Sequence, residues 1–179
     1  AETVLAADAH FVFEISNQGD RIAFTREPDM GLGPGMGLYV VDVQTGNEQF
    51  LSEIDREGGG SIADQPVWSP DDSTILLPMI PEQNPITTLV AAADGSGSAN
   101  LSFDPSVDAD LRAFPLPSPL LWHPDGTHII AQTTTGDMMM GDGQHLIVRY
   151  SFDASQALIT AAEILTEDAR LIAWQTPGD

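Results

Sequence analysis

Short apolar runs alternate with turn-forming residues along the whole chain. Ile22-Ala23-Phe24, Ile75-Leu76-Leu77 and Ile129-Ile130-Ala131 are unbroken apolar triplets, each placed just after a cluster of polar and turn residues. Runs this short, bounded by turn signals, predict strands buried on both faces. A loop follows each, and then a third strand: Leu38–Val43, Thr88–Ala92 and Leu146–Tyr150. Two of these end in turn residues, Thr45-Gly46 and Asp94-Gly95, and a shorter fourth strand comes next, at Glu48–Leu51, Ala99–Ser102 and Glu163–Leu165. No long segment carries a 3.6-residue period, so a solenoid of helix pairs is excluded. The pattern predicts an all-β protein with four antiparallel strands per repeating unit.

The repeat is also written in the turns. Trp68-Ser69-Pro70-Asp71-Asp72 and Trp122-His123-Pro124-Asp125-Gly126 are copies of one motif, 54 residues apart. A degenerate copy, Ile15-Ser16-Asn17-Gln18-Gly19, lies 53 residues before Trp68, and Trp174-Gln175-Thr176-Pro177-Gly178-Asp179 begins 52 residues after Trp122. Each residue type has a task. Pro70 and Pro124 preset φ at the centre of a tight turn, and Asp71 and Asp125 can bond the backbone ahead. The next position favours a positive φ, which Gly19 and Gly126 accept freely and Asp72 tolerates better than most residues do. Trp68, Trp122 and Trp174 are large plugs suited to pack between neighbouring sheets. Four strands at a period of about 50 residues fit the blades of a β-propeller, whereas an immunoglobulin-like sandwich would not repeat its own sequence.

The segments PVWSPDDSTILL and LLWHPDGTHIIA resemble the PD40, or WD40-like, repeat of TolB-type propellers, and GLYVVDVQTG resembles its third strand and turn. The resemblance runs from about Phe11 to Asp179. It implies closed propellers, commonly of six or more blades, in periplasmic or extracellular proteins, or a gating segment ahead of a serine-peptidase domain. In this sequence the repeats span approximately 11–54, 64–104 and 117–166, with a partial blade at 167–179, all within one propeller segment, 1–179. Three blades are too few to close a ring. Thr3-Val4-Leu5 and Leu171–Trp174 read as strands of partial blades at the two ends. The expectation is therefore an open arc, either part of a larger propeller or closed by other subunits.

Composition narrows the partners. The chain has 179 residues, 42% of them hydrophobic, which is enough for a substantial core. Six arginines, no lysine and 27 acidic residues give a formal net charge of −21. Such a surface repels phosphate backbones and anionic lipid, so no nucleic-acid partner and no direct membrane insertion is expected. The absence of cysteine excludes disulfides and thiolate metal sites.

No catalytic signature is present. The nearest approach to a Gly-x-Ser-x-Gly nucleophile elbow is Asp94-Gly95-Ser96-Gly97-Ser98, which reads as a hairpin turn after a strand rather than a strand-turn-helix. The four histidines form no HExxH pair. Two glycine-rich loops at equivalent places carry methionine: Met30 and Met36 in one, Met138, Met139 and Met140 in the other. Methionine suits an adaptable apolar contact with a partner, or local packing. Thioether and imidazole would also suit Cu(I), with Asp137, Asp142 and His145 as neighbouring ligands. A calcium site would draw on Asp137, Asp142, Asp104, Asp108 and Asp110, though without EF-hand spacing. The reading as a whole is a non-catalytic protein-binding or scaffolding module, periplasmic or extracellular, with no cofactor. It would be joined to other subunits or further blades, or would form the accessory segment of a larger hydrolase.

Overall fold

The computed structural model describes residues 9–26, 36–54, 61–62, 64–80, 87–112, 120–135 and 144–167. They form three antiparallel blades. The first contains β1 (Ala9–Ile15), β2 (Arg21–Arg26), β3 (Met36–Asp42) and β4 (Glu48–Ile54), hydrogen-bonded in that order. The second has an inner strand in two short pieces, β5 (Ser61–Ile62) and β6 (Val67–Trp68), both paired with β7 (Thr74–Ile80). β8 (Thr87–Ala92) and β9 (Ser98–Asn100) complete it. After β10 (Ser102–Phe103) and a single helical turn, α1 (Ala109–Arg112), the third blade runs β11 (Leu120–Trp122), β12 (His128–Thr135), β13 (Gln144–Asp153) and β14 (Leu158–Glu167). The chain is thus a partial propeller.

The core lies between blades. Side chains alternate across a strand, and the middle blade uses both faces. Ile75 and Leu77 join Leu89, Ala91 and Trp68 against Ala23, Leu38, Val40 and Leu51 of the first blade. Leu76 and Val90 point the other way, onto Trp122, Ile129, Ala131, Val148 and Tyr150 of the third. Ile75, Leu76 and Leu77 are all fully buried. This is why the apolar triplet is unbroken: a strand with protein on both sides has no polar face.

The motif tryptophans fasten one blade to the next. Trp68 and Trp122 are 5% and 8% exposed. The Trp68 indole Nε1 donates to the Glu14 carbonyl at 3.1 Å, and that of Trp122 donates to the Val67 carbonyl at 3.3 Å. Glu14 and Val67 hold the same place in their blades, one residue before the motif. The bond therefore repeats with the sequence, and each indole fills an apolar gap while satisfying its single donor. Trp122 also packs edge-on against Phe152, with ring centroids 5.3 Å apart.

Asp72, the departure from glycine, adds a second link between blades one and two. It holds φ at +57°, a conformation that aspartate tolerates but does not prefer. Its buried carboxylate accepts from the Asn17 amide at 2.8 Å, the Gln18 amide at 3.0 Å and Asn17 Nδ2 at 2.6 Å. Its carbonyl accepts from Arg21 Nη2 at 2.9 Å. Burial alone would raise the Asp72 pKa, but the bonds from Asn17 and Gln18 and the charge of Arg21 outweigh it and hold it below the usual 3.8. Gly126 leaves the third blade without this clasp.

One strand departs from the sequence pattern. The expected single strand Ala99–Ser102 breaks at Leu101. The Leu101 amide still donates to Thr88 in blade two, whereas the Ser102 amide donates to Ala157 in blade three. β10 then runs parallel to β14, pairing Ser102 with Leu158 and Phe103 with Ile159. The outer strand of one blade thereby ends as an edge strand of the next.

Replacing Trp68 or Trp122 by alanine is expected to cost about 3–5 kcal/mol in chemical unfolding, the range for large buried aromatics. Phenylalanine, which keeps most of the packing and loses the N–H bond, should cost about 1 kcal/mol beyond its smaller volume. For Asp72 the sign follows from its lowered pKa: its contribution is complete above the unfolded value near 4 and fades as pH falls through the folded value. Asp72→Asn should therefore cost about 1.5–3 kcal/mol at pH 7. The gap to the parent chain should narrow in unfolding curves recorded at progressively lower pH below 4.

Candidate binding surfaces on the propeller arc

The turn motif is built the same way in blades two and three. The Ser69 amide donates to the Thr74 carbonyl at 2.8 Å and the His123 amide to the His128 carbonyl at 2.9 Å. In blade two, Ser69 Oγ donates to Asp71 Oδ1 at 2.7 Å, and Ser73 donates to the same oxygen from its amide and its hydroxyl. The Ser69 and Ser73 bonds hold the Asp71 pKa below its ordinary value. Pro70, Asp71, Pro124, Asp125 and Gly126 stand in the turns that the motif predicts, and Gly126 has a φ of +71°. In blade three the closing positions are both imidazoles. Asp125 Oδ2 lies 3.0 Å from His123 Nδ1 and 2.7 Å from His128 Nδ1. Sequence spacing conceals this cluster, because its three residues converge only through the fold of the turn.

The outward face of the first blade is a second surface. Register places Phe13 opposite Phe24, Phe24 opposite Tyr39, and Tyr39 opposite Phe50, so four aromatic residues form one row across all four strands. Phe24 and Tyr39 stack with centroids 5.6 Å apart, and Tyr39 meets Phe50 edge-on at 5.3 Å. Gly37 makes room for this row: a Cβ there would lie 2.6 Å from the Tyr39 ring. The Arg26 guanidinium sits 5.1 Å from the centroids of both Phe24 and Tyr39 and forms a two-point pair with Glu48 at 2.8 Å. That Arg26 bond is the main reason the Glu48 pKa falls below its ordinary value. Phe24 is covered, but Phe13, Ile15 and Phe50 are 57%, 51% and 54% exposed. Ile15 occupies the place that tryptophan holds in the other blades.

A third feature is a groove of about 340 Å³ across the inner strands of all three blades, lined by Glu14, Asn17, Asp64, Gln65, Trp68 and Leu121 among others. It brings acidic and amide groups together, and its lining includes neither histidine nor serine.

The remaining residues singled out by sequence fall as follows. Met36 is buried, 4% exposed, in the core between blades one and two, so it packs locally and offers no side chain to a partner. Met30, Met138, Met139, Met140, Asp137, Asp142 and Trp174 lie outside the described residues, as do Thr3–Leu5 and Leu171–Trp174. His145, half-buried on β13, pairs with Thr134 of β12. Asp104 is engaged in its own turn, accepting from Ser106 at 2.8 and 2.6 Å. The Asp94–Ser98 segment is the β8–β9 hairpin turn, with Gly95 at φ +72°.

No family model matches the chain, and no curated protein matches it. Solved structures do. A protein assigned as TolB from Agrobacterium tumefaciens superposes with a TM-score of 0.54 at 17% identity, over 86% of this chain and 47% of that one. TolB from Acinetobacter baumannii gives 0.52 at 13% identity, over 89% and 33%. The acylaminoacyl peptidase of Pyrococcus horikoshii gives 0.47 at 12% identity, over 83% and 23%, a likeness too loose to speak to chemistry. The chain spans less than half the length of either TolB structure. What these matches establish is the fold: the chain is an arc of β-propeller blades, superposing on part of the propeller in the TolB structures.

Proposed function

We propose that this arc is a non-catalytic scaffolding module, and that it binds protein through the open face of its first blade. The exposed aromatic row carries the reading. Phe13, Ile15 and Phe50 stand more than half exposed on a sheet whose opposite face is sealed against blade two. Inside a ring, such a face is covered by the next blade. The partner this face suits is another twisted β-sheet with an apolar surface, whether a further blade or a second subunit. Fully burying a large apolar side chain is worth about 1.5–3 kcal/mol, so three half-exposed ones would supply about 1 kcal/mol each.

The charge supports protein rather than nucleic acid as the partner. Among the described residues, Arg21, Arg26 and Arg149 are each engaged with a carboxylate or a carbonyl of the chain itself. The acidic excess therefore dominates the solvent-facing surface and disfavours polyanions. An extracytoplasmic setting belongs to the same proposal and rests on the TolB-type resemblance.

Sedimentation of the isolated chain over a range of concentrations tests the reading. Self-association above the 19.1 kDa monomer mass is expected, reversed by replacing Phe13 and Phe50 together with serine while the β-sheet circular dichroism is retained. A chain that stays monomeric at every concentration, or associates equally well with both serines in place, would contradict it.

A further inference from the structure

We infer that the turn of the third blade is a binding site for one divalent late transition ion, Cu²⁺, Ni²⁺ or Zn²⁺, held by His123, Asp125 and His128. Nδ1 of His123 and Nδ1 of His128 both face a single carboxylate oxygen, Asp125 Oδ2, at 3.0 and 2.7 Å. One ligand atom from each of the three residues lies within 4.8 Å of the others. Two ligands about 2.1 Å from a metal and at right angles to each other stand roughly 3.0 Å apart, whereas a tetrahedral angle would set them about 3.4 Å apart. The 3.0 Å spacing matches the right-angled arrangement and the 2.7 Å spacing reaches it by opening a few tenths of an ångström; right angles are the preference of Cu²⁺ and Ni²⁺ with nitrogen and oxygen ligands.

The surroundings orient the set. The other carboxylate oxygen, Asp125 Oδ1, accepts from the Thr127 amide at 2.8 Å and the His128 amide at 3.1 Å, which fixes the carboxylate plane and turns Oδ2 toward the imidazoles. Bonds of this kind to a ligating carboxylate hold it in place. The Asp125 amide donates to His123 Nδ1 at 3.3 Å, a long contact that an ion on that nitrogen would replace, and Thr127 Oγ1 lies 3.0 Å from His128 Nδ1. The two rings meet edge to face, 5.8 Å between centroids. All three side chains keep solvent access, at 27%, 39% and 28%, so a bound ion would retain open positions for water or for a ligand from a partner.

The three copies of the turn among the described residues supply an internal comparison. Ser16 and Arg21 hold the two closing positions in blade one, and Ser69 and Thr74 hold them in blade two. Among these three, blade three alone places imidazole at both, on either side of the motif aspartate. Hard cations such as Ca²⁺ take oxygen ligands and six to eight of them, so this set does not suit calcium.

The test is isothermal titration of the untagged chain with Cu²⁺, Ni²⁺ and Zn²⁺, with Ca²⁺ as control, paired with thermal melts. Blade two supplies fold-compatible replacements, His123→Ser and His128→Thr. The parent chain should bind one equivalent of Cu²⁺ or Ni²⁺ and melt higher when loaded, as any ligand specific to the folded state requires. Each replacement should weaken binding at least tenfold and abolish the rise in melting temperature, while Asp94→Asn, in the exposed β8–β9 turn, changes neither. Absence of saturable binding by the parent chain, equal binding by the double replacement, or loss of binding with Asp94→Asn would overturn the site.

Discussion

Everything in this fold depends on the burial of blade faces against one another, with an indole fixing the register of each contact. A four-stranded sheet on its own is marginal in water. Here the middle blade is held on both faces, and its strands are apolar on both sides for that reason. Trp68 and Trp122 each reach back to the inner strand of the preceding blade, where they plug the gap and donate to a carbonyl that β pairing leaves available. The links at the blade edges follow from that docking. Asp72 caps the neighbouring turn, Ser98 Oγ meets Ser52 Oγ at 2.8 Å, and Gln49 Nε2 donates to the Asp94 carbonyl at 2.5 Å. β10 crosses to pair with β14. None of these contacts would form between blades free to slide.

The same constraint explains the outward face of the first blade. Its inner strand carries Ile15 where the others carry tryptophan, so it has no indole with which to fasten a preceding sheet. It offers a row of rings instead, floored by Gly37 and crossed by the Arg26–Glu48 pair. A surface of this kind gains most from a second apolar sheet, whereas the groove at the inner strands is bordered by the carboxylates of Glu14 and Asp64.

Much of this was legible in the sequence. The Trp-x-Pro-Asp turns, the apolar triplets behind them and the 54-residue interval between Trp68 and Trp122 locate the blades, because turn chemistry and two-sided burial are local properties. What stayed hidden depends on distance in space. The clasp by Asp72 has its partner in the degenerate copy, at Asn17, where no motif advertises it. The imidazoles at 123 and 128 have no recognised ligand spacing, since they meet only once the turn folds back on itself. The break at Leu101 carries no proline or glycine, and a competing edge, β14, decides it. Met36 sits in a glycine-rich segment that reads as a loop, yet the start of β3 carries it into the core.

Hydrogen–deuterium exchange, resolved by strand and repeated across concentrations, tests the dependence on blade burial most directly. If docked faces hold the arc together, β7 and β8 should be the most protected strands at every concentration. β1 and β2 should exchange faster in dilute solution and gain protection as the open face is covered. Equal protection of all three blades in dilute solution, or faster exchange in the middle blade, would show that each sheet is stable by itself and contradict the account.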